Sequence, residues 1–196
     1  MRLKHSGTFR TSPGNDPVDI KGEQYFTAEP PGFVWIGKTS MFKAVDQYID
    51  GKGKLKVKIL SLIPVESSEG FSTDKGELLR WLGESVWFPT NLLPRKGLSW
   101  SGIDDNTARL EFSYNDLDIY YIVKFNDQNE IYEIRTKRYK GKKGLSTWIG
   151  RLHDYSEENR MHVPHKIEAI WAENSKEYKY ADFRIEEIEY GIPEKY

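Results

Sequence analysis

The sequence predicts a mainly β fold of the α+β class, in which a large antiparallel sheet, or half-barrel, curves around one central helix. Most of the chain alternates β-branched and aromatic residues with polar ones, between turns rich in Gly, Asn and Asp. A single stretch has helical periodicity, and the turns between the other segments are short enough for hairpins. At 196 residues, the chain is expected to form one domain, residues 1–196.

Twelve segments are predicted to be strands. The pattern is clearest at residues 119–125, where the odd-numbered positions are all apolar and share one face. In the last strand, Phe183 and Ile185 supply the apolar face, which continues with Ile188 and Tyr190 after a break in phase. The predicted strands are residues 2–10, 23–29, 32–40, 43–50, 53–62, 98–103, 107–114, 117–126, 130–140, 145–155, 161–172 and 178–190.

Turn chemistry predicts antiparallel pairing between neighbouring strands. Asp50-Gly51 is a strong two-residue turn, and residues 104–106 and 126–129 suit slightly longer hairpin loops. Connections this short join antiparallel strands, because a parallel pair needs a crossover of a dozen residues or more.

Residues 72–87 break the strand pattern and predict the helix, with its centre over 74–87. The stretch opens with capping residues, and Leu78, Leu82 and Val86 recur at four-residue spacing, so that they form one apolar stripe. Leu79 and Trp81 broaden that stripe, which suits a helix lying across a sheet. Pro89 ends the helix, and residues 90–94 are expected to add a short second turn.

Composition excludes several classes of protein. The formal charge is −1, without the basic field that nucleic-acid binding requires, and there is no run of about 18 apolar residues that could span a bilayer. The amino terminus lacks the apolar segment of a secretory signal, so the chain as given is expected to be cytoplasmic, with the envelope as the alternative if it is a trimmed piece. Aromatic residues at 14% predict a folded core despite 30% charged residues.

Catalytic and metal-binding signatures are mostly missing. The chain has no cysteine, no nucleophile elbow and no phosphate-binding glycine loop, so we predict no cofactor. His162 and His165 are three apart, which in a strand sends them to opposite faces and disfavours a shared metal. His153 and Asp154 are adjacent in a predicted strand, so their side chains also point to opposite faces and disfavour a shared metal. We expect these three and His5 to be exposed or singly hydrogen-bonded, and predict no metal site.

A basic run begins within the predicted strand 130–140, with Tyr132 and Tyr139 interleaved, and superficially resembles a nucleic-acid surface. Strand alternation divides it between two faces, and the acidic residues Glu186, Glu187, Glu189 and Glu194 could neutralise it. We therefore favour a solvated hairpin without nucleic-acid binding. The run consists of Arg135, Lys137, Arg138, Lys140, Lys142 and Lys143.

The helix carries the more informative polar set. Arg80 and Glu84 are four residues apart and can pair, and Glu77 lies one turn before Arg80. On a solvated helix face such a pair contributes little. If the sheet curls around the helix, Arg80 and Glu84 instead point into an enclosed space, where a paired charge can orient the polar end of a ligand. Because Trp81, Trp87 and Phe88 surround this polar set, little of the helix surface is wholly polar.

Several motifs together resemble DUF6544 (also DUF6920), an uncharacterised family of domains of unknown function. The most specific are residues 76–84, which read G-E-L-L-R-W-L-G-E, and residues 87–90, which read W-F-P-T. The resemblance covers nearly the whole chain and gives weight to Glu77, Arg80, Glu84 and Trp87. It implies a curved sheet with a helical lid, similar to the LolA-like lipoprotein carriers, which hold acyl chains in an apolar cavity. Longer relatives are expected to carry an upstream membrane-associated segment, and its absence from the sequence as given makes an envelope location less expected. Further motif positions are Phe9-Arg10, residues 22–26, 30–35 and 50–53, Trp148, Tyr155 and Pro164.

Three functions are compatible with the sequence. The first is a non-enzymatic binder of a hydrophobic or amphipathic small molecule, lipid-like, held between sheet and helix, with Arg80 nearest an anionic head group. The second is an enzyme in which Glu84 is the acid/base and Arg80 its electrostatic partner. The third is an interaction module whose aromatics fill a solid core. The oligomeric state is not predicted. Candidate ligand-binding residues are Arg80, Glu84, Glu77, Trp81, Trp87, Phe88, Trp35 and Trp148, with Trp100 also considered for the lining.

Overall fold

The computed structural model describes residues 1–59, 63–141, 144–192 and 194–196. Within these ranges, the protein forms a sheet of 13 antiparallel strands and one α-helix, which confirms the predicted mainly β class. The strands are β1 (Arg2–Phe9), β2 (Val18–Thr27), β3 (Gly32–Lys38), β4 (Phe42–Ile49), β5 (Lys52–Ile59), β6 (Ile63–Ser68), β7 (Leu98–Asp104), β8 (Thr107–Tyr114), β9 (Leu117–Phe125), β10 (Ile131–Tyr139), β11 (Leu145–Glu158), β12 (Met161–Glu173) and β13 (Lys176–Glu189).

The sheet contains one strand that was not predicted. β6, Ile63–Ser68, forms an edge of the sheet and pairs with β5, whereas the sequence predicted one strand over 53–62 and none after it. Residues 60–62 of that predicted strand lie outside the described residues. A proline at position 64 argues against a strand when the sequence is considered alone, and Pro64 is tolerated here because edge strands need not donate every ladder hydrogen bond.

The order of the strands explains why the sheet wraps around the helix. Strands β1 to β6 run outward in sequence on one side and β13 to β7 on the other, and β1 pairs with β13 at the centre. The two edges are therefore β6 and β7, which are consecutive in the chain. A flat sheet of this size would place them about 58 Å apart. The 14-residue helix between them is only about 21 Å long. It can contact both halves of the sheet only because the sheet is curved.

The helix α1 spans Phe71–Glu84 and continues as two short 3-10 turns, Ser85–Trp87 and Pro89–Leu92. It packs mainly against β3, β4 and β5 on one flank and β9 and β10 on the other. The predicted stripe of Leu78, Leu82 and Val86 is buried, as expected. The regular helix ends three residues earlier than the sequence predicted.

Close approach of α1 to β9 depends on a small residue in the helix. A Cβ atom at Gly83 would lie 2.9 Å from the hydroxyl oxygen of Tyr121. That hydroxyl donates a hydrogen bond to the carbonyl of Leu79, at 2.9 Å. Gly83 therefore allows a buried tyrosine to fasten the strand to the helix backbone.

The aromatic core lies at the carboxyl-terminal half of α1. Trp81 is fully buried, with Phe112 at 5.2 Å and Phe26 at 6.2 Å between ring centroids. Its indole nitrogen donates to the carbonyl of Thr27, at 2.8 Å. Phe88 packs against Phe26 at 4.4 Å. This cluster fixes one side of the helix to the sheet.

The predicted break in phase of the last strand is a β-bulge. Lys4 pairs with Glu187 but His5 pairs with Ile185, so β13 has one extra residue opposite β1. The bulge keeps Ile185 and Ile188 on the buried face although they are three residues apart. No helix in the described ranges is long and apolar enough to cross a membrane.

Candidate ligand cavity

A cavity of about 1350 Å³ lies between α1 and the central strands, and it opens to solvent on one side. It exists because α1 bridges the two flanks of the curved sheet, while the central strands bow away beneath it. The helix supplies Ser72, Thr73, Gly76, Glu77, Arg80, Gly83, Glu84 and Trp87 to its wall. The sheet supplies mainly apolar residues, among them Phe9, Ile20, Trp35, Phe42, Ala44, Leu55, Val57, Trp148, Ile167, Ala169, Trp171, Tyr180, Ala181 and Phe183.

Small residues at the floor account for much of the empty space. Ala169 of β12 pairs with Ala181 of β13 on one side and with Gly150 of β11 on the other. Ala44 occupies a similar place in β4. Large side chains in place of the three alanines would occupy part of the cavity. The floor therefore leaves room that the surrounding tryptophans do not occupy.

The structure brings six of the eight predicted site residues to the cavity wall: Glu77, Arg80, Glu84, Trp35, Trp87 and Trp148. Trp81 and Phe88 do not line it, because they point into the aromatic core on the other side of the helix. Trp100 is also away from the wall, and its indole nitrogen donates to the carbonyl of Leu92 at 2.8 Å. Sequence patterning marks these aromatics as buried but does not show which of them face the cavity and which face the aromatic core.

Arg80 is the centre of a closed polar network beneath the helix. Its Nε donates to Glu84 Oε1 at 2.8 Å, and its Nη1 to Asp46 Oδ2 at 2.6 Å. Its Nη2 donates to Gln24 Oε1 at 3.2 Å, and the amide of Gln24 in turn donates to Glu84 Oε2 at 2.6 Å. The guanidinium also lies 5.0 Å from the ring centroid of Trp35. Sequence reasoning predicted the Glu84 pair but missed Asp46 and Gln24.

A second carboxylate pair adjoins this network. Asp46 and Glu77 both line the cavity and are more than nine-tenths buried. Among the described residues, Asp46 Oδ1 and Glu77 Oε2 have no hydrogen-bond partner. Burial, reinforced by the charge of Asp46, raises the pKa of Glu77 to about 8, while Arg138 and Arg80 oppose the shift. Glu77 is therefore largely protonated near neutral pH.

Trp35 is fixed against the sheet by a buried histidine. Its indole nitrogen donates to Nε2 of His5 at 2.7 Å, across Gly22 of β2. A Cβ at Gly22 would lie 2.2 Å from that Nε2, so only glycine permits the contact. Burial, with a smaller effect of Arg80, lowers the pKa of His5 to about 3. The ring is therefore neutral, as an acceptor must be.

The basic run is divided between the two faces of β10, as strand alternation predicted. Arg135 lies outside and pairs with Glu133 at 3.1 Å, whereas Arg138 points inward to the cavity wall. The expectation that the whole run is a solvated hairpin is therefore wrong for Arg138. The acidic tail does not neutralise the run either, because Glu187 and Glu189 pair with Lys4 and Arg2 of β1. Lys142 and Lys143 lie outside the described residues.

The other histidines each contact one carboxylate. His162 Nε2 lies 2.6 Å from Glu130, His165 Nε2 lies 3.4 Å from Glu158, and His153 Nε2 lies 3.8 Å from Glu168. Across the parts of the chain that the structure describes, no group of three or more His, Cys, Asp or Glu residues could hold a metal ion.

Comparison with known proteins identifies a matching family and a solved structure with a similar fold. The profile of a family of unknown function, DUF6544, matches residues 1–183. The crystal structure of the LolA superfamily protein NE2245 from Nitrosomonas europaea is similar, with a TM-score of 0.51 and 10% sequence identity. The match covers 95% of this chain and 83% of that one. No curated protein matches. These findings confirm the family resemblance and the LolA-like fold.

Proposed function

We propose that this chain, which belongs to the DUF6544 family of unknown function, binds a hydrophobic or amphipathic, lipid-like molecule in the cavity between α1 and the sheet. The observation that carries the proposal is the cavity itself. Its volume of about 1350 Å³ exceeds the roughly 300–1,000 Å³ of common small-molecule pockets, so it has room for a long acyl chain.

The division of the wall into two kinds of surface supports an amphipathic ligand. The sheet side is dominated by aromatic and aliphatic side chains, whose contact with an apolar chain removes both surfaces from water. The helix side carries the charged residues Glu77, Arg80 and Glu84, joined by Asp46 and Arg138 from the sheet. A ligand with one polar end would be oriented by this asymmetry.

Binding explains the arrangement better than acid–base catalysis at Glu84. Both carboxylate oxygens of Glu84 already accept hydrogen bonds, one from Arg80 and one from Gln24. A general acid or base needs an oxygen free to exchange a proton with substrate. The open space beneath the helix likewise disfavours an interaction module with a solid core.

Native mass spectrometry of freshly purified protein tests the proposal, followed by solvent extraction and titration with hexadecanoate. Trp35, Trp87, Trp148 and Trp171 line the cavity, so filling it should change tryptophan fluorescence in a saturable manner. Absence of a bound molecule, together with absence of a saturable change, would refute it. The cytoplasmic location and the absence of nucleic-acid binding stay predictions, and a LolA-like fold is compatible with an envelope protein.

A further inference from the structure

Two guanidinium groups reach the cavity, and their surroundings differ. Arg80 is hydrogen-bonded to three protein acceptors at 2.6–3.2 Å and has two carboxylate partners, Glu84 and Asp46. An anion that bound Arg80 would have to displace one of them. The sequence favoured Arg80 as the group nearest an anionic head, but its charge is already compensated by the protein.

Arg138 is the guanidinium that the protein leaves incompletely paired. In the described part of the chain, the one carboxylate it reaches is Glu77, and its Nη2 lies 3.5 Å from Glu77 Oε1. Charge-assisted hydrogen bonds are usually about 2.7–2.9 Å long. The Arg138 side chain is nevertheless only 16% exposed. A charge removed from water to this degree is costly unless an opposite charge compensates it.

Burial of Glu77 weakens the pairing of Arg138 further, because it raises the pKa of that carboxyl group to about 8. A protonated Glu77 is neutral, and Asp46 accepts a hydrogen bond from Arg80 through Oδ2 at 2.6 Å. The carboxylates of Asp46 and Glu84 on this part of the wall both accept hydrogen bonds from Arg80. Glu69, which also lines the cavity, is paired with Lys54. The positive charge of Arg138 therefore faces the cavity with little compensation.

We propose that Arg138 binds the anionic head group of the ligand, a carboxylate or phosphate, while the acyl chain lies along the apolar floor. This assignment rests on the proposed function. Lys140, which follows the last residue of β10, lines the same cavity. Its amine lies 3.0 Å from Glu173, so it adds weaker attraction than Arg138. A guanidinium presents paired donors that match the two oxygens of a carboxylate or phosphate.

Titration of the wild-type protein with three hexadecyl compounds tests this assignment, using hexadecanoate, hexadecyl phosphate and hexadecanol below their micellar concentrations. The two anions should bind at least about tenfold more tightly than the alcohol, since a charge-assisted pair accounts for such a difference. The tighter of the two anions identifies the head-group class.

Variants identify the residue responsible. Arg138→Gln should lower the affinity for the anions by about tenfold or more and leave the affinity for hexadecanol within about twofold. Arg135→Gln is the matched control, because Arg135 lies on the same strand but on the outer face, and it should change neither affinity. Arg138→Lys, which keeps the charge, should retain part of the preference.

The outcomes separate this assignment from the proposed function. If the alcohol binds the wild-type protein as tightly as the anions, or if Arg138→Gln weakens all three compounds equally, the assignment to Arg138 is overturned although a lipid-like ligand still binds. If none of the three compounds binds, the proposed function itself fails, and the assignment fails with it. If Arg138→Gln does not fold, the wild-type comparison still decides whether the cavity prefers anions, and a changed preference in Arg138→Lys, which keeps the charge, decides whether Arg138 is the residue responsible.

Discussion

The Nη1 atom of Arg80 lies 2.6 Å from the Oδ2 atom of Asp46, which joins helix α1 to strand β4 across the cavity wall. Both side chains are at most 15% exposed. Because Glu84 and Gln24 complete the same network, Arg80 ties together one helix and two strands. The network fixes the polar side of the cavity and holds the helix over the sheet.

Removal of Arg80 should therefore be strongly destabilising. Arg80→Ala leaves the carboxylates of Asp46, which is buried, and Glu84, which is largely buried, without their cation, and we expect a loss of about 3–5 kcal/mol in the free energy of unfolding. Urea denaturation monitored by tryptophan fluorescence measures this loss. The matched control is Arg109→Ala, which removes an exposed arginine paired with Glu111 at 2.8 Å and should cost less than about 1 kcal/mol.

The double variant distinguishes a network from independent contacts. In a network, Arg80→Ala combined with Glu84→Ala should cost clearly less than the sum of the two single changes, because the second change removes a charge that the first left unpaired. Losses below about 1 kcal/mol for each single variant, with simple additivity, would mean that the pair is solvated.

Gly22 should not tolerate a side chain. A Cβ at this position would lie 2.2 Å from His5 Nε2 and 2.9 Å from Trp35 Nε1, so Gly22→Ala must separate the two rings. We expect a loss of about 1–3 kcal/mol in unfolding free energy and a shift in tryptophan emission. Gly102→Ala is the control, because a Cβ there meets nothing within 4 Å. Equal stability of the two variants would contradict this role of Gly22.

The free energy of unfolding should depend on pH because of the raised pKa of Glu77. Its pKa is about 8 in the folded state and near 4.5 in the unfolded chain, so between these values the folded state binds the extra proton. The contribution of Glu77 to the unfolding free energy must therefore fall as the pH rises from about 4.5 to about 8. Asp46, Arg138 and Arg80 are the charged groups that set this pKa.

Comparison with Glu77→Gln isolates that contribution. His5 acts in the opposite sense below about pH 6.5, because its folded-state pKa is about 3, but this effect is common to both proteins. Relative to the variant, the wild-type protein should lose stability steadily up to about pH 8 and then remain level. A difference between the two proteins that is constant with pH would show that Glu77 is ionised throughout.

The sequence was sufficient for features that depend on local periodicity. The stripe of Leu78, Leu82 and Val86 predicted the buried face of α1, and the phase break noted before Ile188 coincides with the bulge in β13. Both follow from the fixed geometry of a helix or strand over a few residues. The inward position of Arg80 followed from the curvature that the family resemblance implied.

Long-range partners could not be obtained in this way. Asp46 and Gln24 precede Arg80 by 34 and 56 residues, and their contact depends on how far the sheet curls. Arg138 was assigned to a solvated run because its neighbours in the sequence are basic, although alternation placed it on the face opposite Lys137. Trp81 and Trp87 both belong to the helical segment, and the end of the regular helix at Glu84 determines which of them reaches the cavity.

The central claim, that a ligand is held between helix and sheet, is tested most directly by placing a large side chain on the cavity floor. The measurement is calorimetric titration of hexadecanoate into Ala169→Phe, Ala172→Phe and the wild-type protein. Ala169 lines the cavity, whereas Ala172, three residues later on β12, is half-buried but off the wall. We expect saturable binding with a negative heat-capacity change in the wild-type protein and in Ala172→Phe, and loss of binding in Ala169→Phe. Binding that is absent from the wild-type protein, or equal in all three, would contradict a ligand held between helix and sheet.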